Sequence, residues 1–422
     1  MIPIHELYWM GGAALVGLLA LQALFGLLGA MQRVALQHQQ RKQEAEFFQI
    51  QVEKARWSLV QDITTSRSWS GWRKFELKRK QIEDKKAEVC SFYLLPHDGK
   101  PLANYQAGQF LTLRLPLQAN KPPVVRCYSL SEAPTPEHYR ITVKRVGCPA
   151  NLAGVPPGAA SGYLHDQVAV GDIVDVKTPA GQFFLDVETH RPVVLIGGGI
   201  GVTPMISMLR HIAATDPDRE AWLFYGVRAE EELIFLTDLE HLRLEHPNLR
   251  VHYCLSDVKE EELPDHSAFH AGRISTQFLK SMLPANNFQF YLCGPGAMMQ
   301  ALDEGLRAWG VPEADIHSEK FGPGAVRKAK TPANPNANGA EIVFKKSNKT
   351  VPWDEAMLHL WEFAFANDVE IASGCLEGNC GTCQTAILSG AVNYTKTPGF
   401  ECEEGTCLPC CCTPEGPMEL DA

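Results

Sequence analysis

The chain gathers its cysteines near the C-terminus. Eight of the thirteen fall between Cys375 and Cys412, and the first three are separated by four and then two residues, Cys375-Leu-Glu-Gly-Asn-Cys380-Gly-Thr-Cys383. No other feature restricts the fold as strongly, because thiols at that spacing must be wrapped to one side of a tight loop. A disulfide framework would distribute cysteines through a short secreted chain, whereas this chain has 422 residues and scatters its other five. Zinc sites favour paired short spacings, which four-then-two is not. Dense thiols in one segment of a long chain also point to a reducing compartment.

Four-then-two is the spacing of a plant-type [2Fe–2S] site, where four thiolates hold two irons. Gly378 and Gly381 permit the tight wrap and leave amide N–H groups free for the sulfurs. Spacing alone leaves the fourth ligand open among Cys402, Cys407, Cys410, Cys411 and Cys412. The segment resembles plant-type ferredoxins, whose last ligand stands in a Leu-x-Cys-x-x-x-Pro setting. Leu408-Pro-Cys410-Cys-Cys-Thr-Pro414 fits that setting only at Cys410. The resemblance therefore implies Cys375, Cys380, Cys383 and Cys410 as metal ligands, in a β-grasp domain over residues 341–422.

The opposite end differs in kind. Tyr8 to Met31 is apolar throughout, with Gln22 its only amide and no charge. At about 1.5 Å rise per residue, a helix of that length crosses a bilayer core. A cleaved signal peptide would carry a basic start and a shorter apolar region. Arg33, Arg41 and Lys42 follow the stretch and no Lys or Arg precedes it, which favours cytoplasmic catalytic domains. Residues 1–31 are thus expected to form a single-pass membrane anchor, in contact with lipid, and residues 32–66 a polar helical spacer. A net charge of −10 excludes a phosphate-collecting surface, so no nucleic-acid partner is expected.

Between these ends the pattern changes twice. Phe75-Glu-Leu77, Val89 to Leu94, Phe110 to Leu115 and Tyr139 to Lys144 alternate as strands, punctuated by His97-Asp-Gly, Pro122-Pro and Gly171-Asp, which suggests a small barrel. From Pro192 onward, apolar runs (Val193 to Ile196, Ala221 to Tyr225, Val251 to Cys254, Phe288 to Leu292) alternate with helical stretches such as Pro204 to Ile212, the signature of a parallel sheet. The expected barrel covers residues 67–187 and the nucleotide domain residues 188–323, with a Pro/Gly/Ala/Asn linker at 324–340.

Three motifs carry chemistry. Val193-Val-Leu-Ile-Gly197-Gly-Gly199-Ile-Gly201-Val-Thr203-Pro204 reads as strand, tight turn and helix start, where a pyrophosphate can approach the backbone. A lone glycine loop is weak evidence. This one resembles the Gly-x-Gly-x-Gly-x-Thr-Pro loop of the ferredoxin–NADP reductase superfamily, and Cys293-Gly294-Pro295 resembles that superfamily's Cys-Gly-Pro. Arg126-Cys-Tyr128-Ser129 resembles its Arg-x-Tyr-Ser flavin signature.

The resemblance implies that Tyr128 packs on the flavin ring, Arg126 grips phosphate, Ser129 lies near flavin N5 and Cys293 lies beside the nicotinamide. It extends to Val143 and Lys144, to Gly158 and Ser161 at the FAD pyrophosphate, and to Glu319 and Phe321 beside the flavin. Residues from Gly71 to Asp166 are especially similar to the reductase part of flavohaemoglobins, which favours FAD over FMN. Tyr225-Gly226-Val-Arg228 resembles the segment at the adenosine end of the nucleotide. Arg228 suits a 2′-phosphate, but Glu230, Glu231 and Glu232 would repel one, so NADH is favoured over NADPH.

The expectation is a multidomain α/β and β protein: a transmembrane helix, a six-stranded antiparallel flavin-binding barrel, a parallel α/β nucleotide-binding domain and a β-grasp ferredoxin domain. The family implies an NAD(P)H:acceptor oxidoreductase that passes hydride to FAD and single electrons through the cluster, with Ser129, Cys293 and Glu319 as catalytic residues. The domain order matches reductases that serve oxygenases, so the expected partner is an oxygenase, hydroxylase or desaturase, membrane-bound or of Rieske type. A redox sensor or assembly subunit without sustained turnover is the alternative from another class, and a direct NADH oxidase a third reading.

Overall fold

Alternation in the first half of the sequence becomes a closed antiparallel sheet. The computed structural model describes residues 68–118, 123–147, 158–319 and 339–422. The expected anchor, the spacer, Phe321 and most of the linker lie outside the described residues. Among the described residues no helix is long and apolar enough to cross a membrane.

Six strands form the barrel: β1 (Arg73–Ile82), β2 (Val89–Pro96), β3 (Phe110–Leu115), β4 (Val124–Ser129), β5 (Tyr139–Lys144) and β6 (Ile173–Val176). Their order is β4-β3-β6-β1-β2-β5 with every pair antiparallel, and a Leu130–Ile141 bridge joins the two ends. The period of two sends Phe75, Leu77, Phe92, Leu94, Leu111, Leu113, Tyr139 and Ile141 into one core. Helix α1 (Ala159–Asp166) packs Ala160 and Leu164 against that core.

The second sheet is parallel and built from β7 (Val193–Gly198), β8 (Ala221–Val227), β9 (Leu249–Leu255), β10 (Phe269–Ala271), β11 (Gln289–Cys293) and β12 (Ile316–Glu319), in the order β10-β9-β8-β7-β11-β12. The order reverses direction between β7 and β11, and ligands of such sheets bind outside the carboxyl ends of the strands at that point. Helices α2 (Val202–Thr215), α3 (Leu236–Glu245), α4 (Thr276–Met282) and α5 (Gly296–Ala308) cover it.

A buried ionic knot ties α2 to the barrel. Arg140 pairs with Glu83 at 2.9 Å and Glu132 at 3.2 Å, and Arg210 of α2 reaches the same Glu132 at 2.8 Å. Removing one partner of such a buried set leaves an uncompensated charge, at a cost of about 3–5 kcal/mol.

The C-terminal domain contains β13 (Glu341–Phe344), β14 (Lys349–Pro352), helix α6 (Leu360–Ala366), β15 (Thr385–Ser389), β16 (Val392–Tyr394), β17 (Thr406–Cys407), β18 (Cys412–Pro414) and β19 (Met418–Leu420). The main sheet runs β14-β13-β19-β15-β17, with β13 and β19 parallel at its centre, while β16 and β18 form a separate pair. Phe344, Leu360, Phe363 and Leu420 fill the space between sheet and helix.

Candidate active site and cluster loop

Strand register assembles the first site. Cys293 at the end of β11 pairs with Gly197 of β7 on one side and with Glu319 of β12 on the other. Ser129, the last residue of β4, donates its hydroxyl to Glu319 Oε2 at 3.3 Å. The three residues expected to be catalytic are therefore brought together, although 190 positions separate Ser129 from Glu319. Burial pushes the Glu319 carboxyl up to about 8, the Ser129 hydroxyl pulls it down, and Glu377 of the cysteine loop adds to the rise. Glu319 thus keeps its proton at neutral pH. The Cys293 thiol is also pushed well up, first by burial and then by Glu319, so it packs as a neutral group.

The glycine loop sits directly beside it. A Cβ on Gly201 would fall 2.3 Å from the Cys293 carbonyl oxygen, so only glycine allows the loop to lie on the Cys293-Gly294-Pro295 turn. Gly199 has φ +55° and faces open space at the start of α2, a backbone cradle that suits a pyrophosphate. Thr203 donates to the Ile200 carbonyl at 3.0 Å and fixes the turn, and Pro204 stands in the first turn of α2. Arg228 is exposed and paired with Glu232.

On the barrel, Tyr128 packs on the edge of the core and Arg126 donates to the Val125 carbonyl at 2.7 Å. Arg126 pairs with no carboxylate among the described residues, which leaves its guanidinium available to a phosphate. The residues expected at the FAD pyrophosphate have structural partners of their own. Val143 is buried in the barrel core and its carbonyl is bonded by His165 Nε2 at 2.9 Å, with Lys144 next to it at the strand end. Ser161 donates to the Gly158 carbonyl at 2.9 Å and accepts from the Val146 N–H at 3.0 Å, so its hydroxyl closes the turn at the start of α1. A cavity of about 470 Å³ between barrel and nucleotide domain is lined by Arg79, Tyr93, Glu132, Arg140 and Arg210 among others, and by none of the residues expected from the motifs.

The cysteine loop supplies four thiols as two pairs. The Cys383 and Cys410 sulfurs are 3.2 Å apart. Cys380 accepts from the Cys375 N–H at 3.3 Å, and Cys375 accepts from the N–H groups of Glu377 and Asn379, each at 3.3 Å. Among the described residues, no three His, Cys, Asp or Glu side chains converge as a single-ion site. Two pairs with amide donors around the sulfurs fit two irons, each taking two thiolates.

The structure brings Cys410 to Cys383. Cys411 lies against Cys410 in the same buried cluster, its thiol 3.5 Å from the Leu408 carbonyl, and Cys402 lies at the Tyr394 hydroxyl, at 3.6 Å. Cys407 and Cys412 belong to the domain core.

Two residues in contact with this loop had no signal in the motifs. Cys127, in the flavin signature, places its thiol beside the Cys380 sulfur, and Lys177 donates to the Cys380 carbonyl at 3.0 Å. Cys127 fills the variable position of Arg-x-Tyr-Ser, and a sulfur there was the one available clue.

Comparison with known proteins agrees with this geometry. The pattern of the oxidoreductase FAD-binding domain matches residues 74–185, that of the oxidoreductase NAD-binding domain residues 195–304, and that of the 2Fe-2S iron-sulfur cluster binding domain residues 343–415. The flavohem-like FAD/NAD-binding domain of nitric oxide dioxygenase from Vibrio cholerae O1 biovar El Tor is 35% identical, and the chain covers 99% of it with 60% of its own length, at a TM-score of 0.53. The chain belongs to the ferredoxin–NADP reductase superfamily.

Within that superfamily it carries the additional C-terminal ferredoxin domain. Phthalate dioxygenase reductase, described as a modular structure for electron transfer from pyridine nucleotides to [2Fe-2S], shares the arrangement. It is 25% identical, with 83% of this chain covering 98% of it at a TM-score of 0.50. The flavohemoprotein of Bordetella pertussis is 38% identical over 259 residues, 61% of this chain; the match spans 62% of that relative's length. The reductase therefore has FAD-, NAD- and [2Fe–2S]-binding domains.

Proposed function

We propose that this reductase takes hydride from NADH at the Ser129–Cys293–Glu319 site and passes single electrons through the cluster loop to a protein acceptor. The acceptor is of the oxygenase, hydroxylase or desaturase class. The observation that carries the reading is strand β4. One end, Ser129, meets the nucleotide domain at Glu319, and two residues earlier Cys127 meets the cluster ligand Cys380. Arg126 and Tyr128, on the alternate face of the same strand, would hold the flavin's phosphate and ring.

When bound, FAD supplies the two-electron to one-electron conversion and the cluster carries single electrons. The chain supplies the setting. Arg126 binds phosphate, and the Gly197–Gly201 turn with the start of α2 receives the nucleotide pyrophosphate. Neutral Cys293 and protonated Glu319 keep negative charge away from the reacting centre. Ser129 holds the Glu319 carboxyl in place. Glu232 occupies Arg228, leaving no free guanidinium at that position for a 2′-phosphate, which favours NADH.

Phthalate dioxygenase reductase shares the domain order, which supports an oxygenase-type acceptor. The apolar stretch Tyr8 to Met31, followed by Arg33, Arg41 and Lys42, supports a single-pass anchor with the catalytic domains in the cytoplasm.

An anaerobic absorbance titration tests the reading. NADH should bleach the flavin and then the cluster bands, with NADPH much less effective. Flavin and cluster both present but reduced by neither nucleotide would leave a sensor or assembly role instead. Deleting residues 1–31 should release the chain from the membrane fraction, and continued sedimentation with membranes would remove the anchor.

A further inference from the structure

The cluster loop lies on the barrel along a seam that the electron-transfer reading uses but does not explain. Lys177, just after β6, is at its centre. Its Nζ donates to the Cys380 carbonyl at 3.0 Å. The ammonium also stands over two rings, Trp72 of the barrel at 5.2 Å and Phe400 of the ferredoxin domain at 5.7 Å. One cation thus joins an aromatic from each domain to the backbone of a metal ligand.

Lys177 is itself held by the barrel. Its N–H donates to the Thr112 carbonyl at 2.9 Å, and the Thr112 hydroxyl lies 3.4 Å from the Cys127 sulfur. Thr112 and Cys127 are register partners across β3 and β4. Lys177 and Cys127 therefore leave one small frame and both end on Cys380, one at its carbonyl and one at its sulfur. The loop fits closely around them. A Cβ on Gly381 would fall 2.4 Å from the Phe400 ring, and one on Gly399 would fall 2.9 Å from Gln182 Nε2 of the barrel segment.

We propose that Lys177 is the positioning residue that docks the cluster loop on the flavin barrel and fixes Cys380 as the ligand through which electrons enter the cluster. The Cys127 thiol lies beside the Cys380 sulfur on the same seam. The step moves one electron from the reduced flavin to the oxidised cluster, with no bond made or broken. Donors to the cluster's ligand sulfurs, and positive charge beside them, raise its reduction potential. Docking by Lys177 therefore favours electron entry through both position and potential. The inference rests on the electron-transfer reading above.

The test uses the full chain with FAD and cluster bound, and compares Lys177→Met, which keeps the apolar stem, with Lys177→Arg, which keeps the cation. Anaerobic stopped-flow with NADH separates flavin bleaching from cluster bleaching, and a redox titration gives the cluster potential. In Lys177→Met, flavin reduction should keep the parent rate. Cluster reduction should slow by about tenfold, the loss of one charge-assisted hydrogen bond from the docked arrangement, and the cluster potential should fall. Lys177→Arg should recover part of both. Cluster reduction at the parent rate, or a cluster potential unchanged from the parent, overturns the proposal. If the parent's flavin is not reduced by NADH, or its cluster is not reduced by the flavin, the electron-transfer reading itself fails, which the parent control shows separately.

Discussion

Ser129 and Cys127 lie on the same face of β4, two residues apart, yet they meet opposite chemistries. At Ser129 the neighbours are a part-buried carboxyl and, beside it on the next strand, a buried thiol, both kept neutral. At Cys127 the neighbours are the Cys380 sulfur and the Thr112 hydroxyl, with the Lys177 ammonium on the Cys380 carbonyl. The difference follows from what each side must move. Hydride delivery builds negative charge on the acceptor and is coupled to protons, so an uncharged, water-poor pocket with a proton held close by serves it. Single-electron transfer moves no atom, so it needs contact and a field that favours the reduced state, which sulfur and a cation supply. If this division is right, each side can be disabled without the other.

The largest separation should come from the cluster ligands. Cys410→Ala should abolish the cluster's visible bands, while flavin content and flavin reduction by NADH stay at the parent level. Cys411→Ala should keep the bands, because Cys411 lies at the Leu408 carbonyl. Absorbance of the purified variants decides it. Bands that survive in Cys410→Ala and vanish in Cys411→Ala would move the fourth ligand by one residue.

Gly201→Ala attacks the other side. Its Cβ would collide with the Cys293 carbonyl, and forced overpacking costs typically about 1–3 kcal/mol. Thermal melts should fall accordingly and NADH binding should weaken, with the cluster's spectrum unchanged. A melt equal to the parent's would show that the loop and the Cys293 turn can separate freely, and the compact hydride site would not stand.

Much of this division is legible in the sequence, and the reasons differ from element to element. Strands β1, β2, β3 and β5 announce themselves because apolar residues at alternate positions fill the barrel core, even where the intervening polar residues such as Thr112 and Arg140 are covered too. Strand β4 does not, because it is half-buried along its length except at Ser129. The short edge strands β10 and β12 lack an apolar run for the same kind of reason, being partly exposed. The choice of Cys410 over its neighbours was available from a resemblance and not from spacing. Lys177 was invisible because its role exists only where two domains touch, 203 positions apart in the chain. Nothing local distinguishes it from a solvated lysine. The Ser161 hydroxyl closes the turn at the start of α1, a local role that the motif did not announce.

Glu319 offers a subtler separation through pH. Its carboxyl is raised to about 8 by burial, so it is protonated at neutral pH and ionises above that value. Ionised, it would place a negative charge where the hydride arrives. Flavin reduction by NADH should therefore be flat below pH 7 and fall above 8, approaching about tenfold per pH unit. Glu319→Gln should flatten the profile. The same ionisation acts on stability. A carboxyl raised in the folded state stabilises it fully below the ordinary carboxylate range, and that contribution is lost as pH rises from there through 8. Melts of the parent should decline over this window more than those of Glu319→Gln. Cluster reduction by prereduced flavin should not follow the same profile, and an identical pH dependence on both sides would break the comparison.

The smallest expected effect is the most specific to the geometry. The Ser129 hydroxyl donates to Glu319 at 3.3 Å and is what pulls its carboxyl downward against burial. In Ser129→Ala that donor is gone, so the carboxyl should hold its proton to higher pH. A neutral-donor hydrogen bond of this length contributes at the low end of about 0.5–1.5 kcal/mol, and one pKa unit corresponds to about 1.4 kcal/mol, so the pH midpoint of flavin reduction should rise by roughly half a unit. The direction is the diagnostic part. A structural defect at Ser129 would lower the rate at every pH and leave the midpoint alone, whereas loss of the hydrogen bond moves the midpoint upward with little change in the plateau. A downward shift would mean that Glu319 is stabilised by some donor other than Ser129, and the proton at the hydride site would have to be assigned to a different pair.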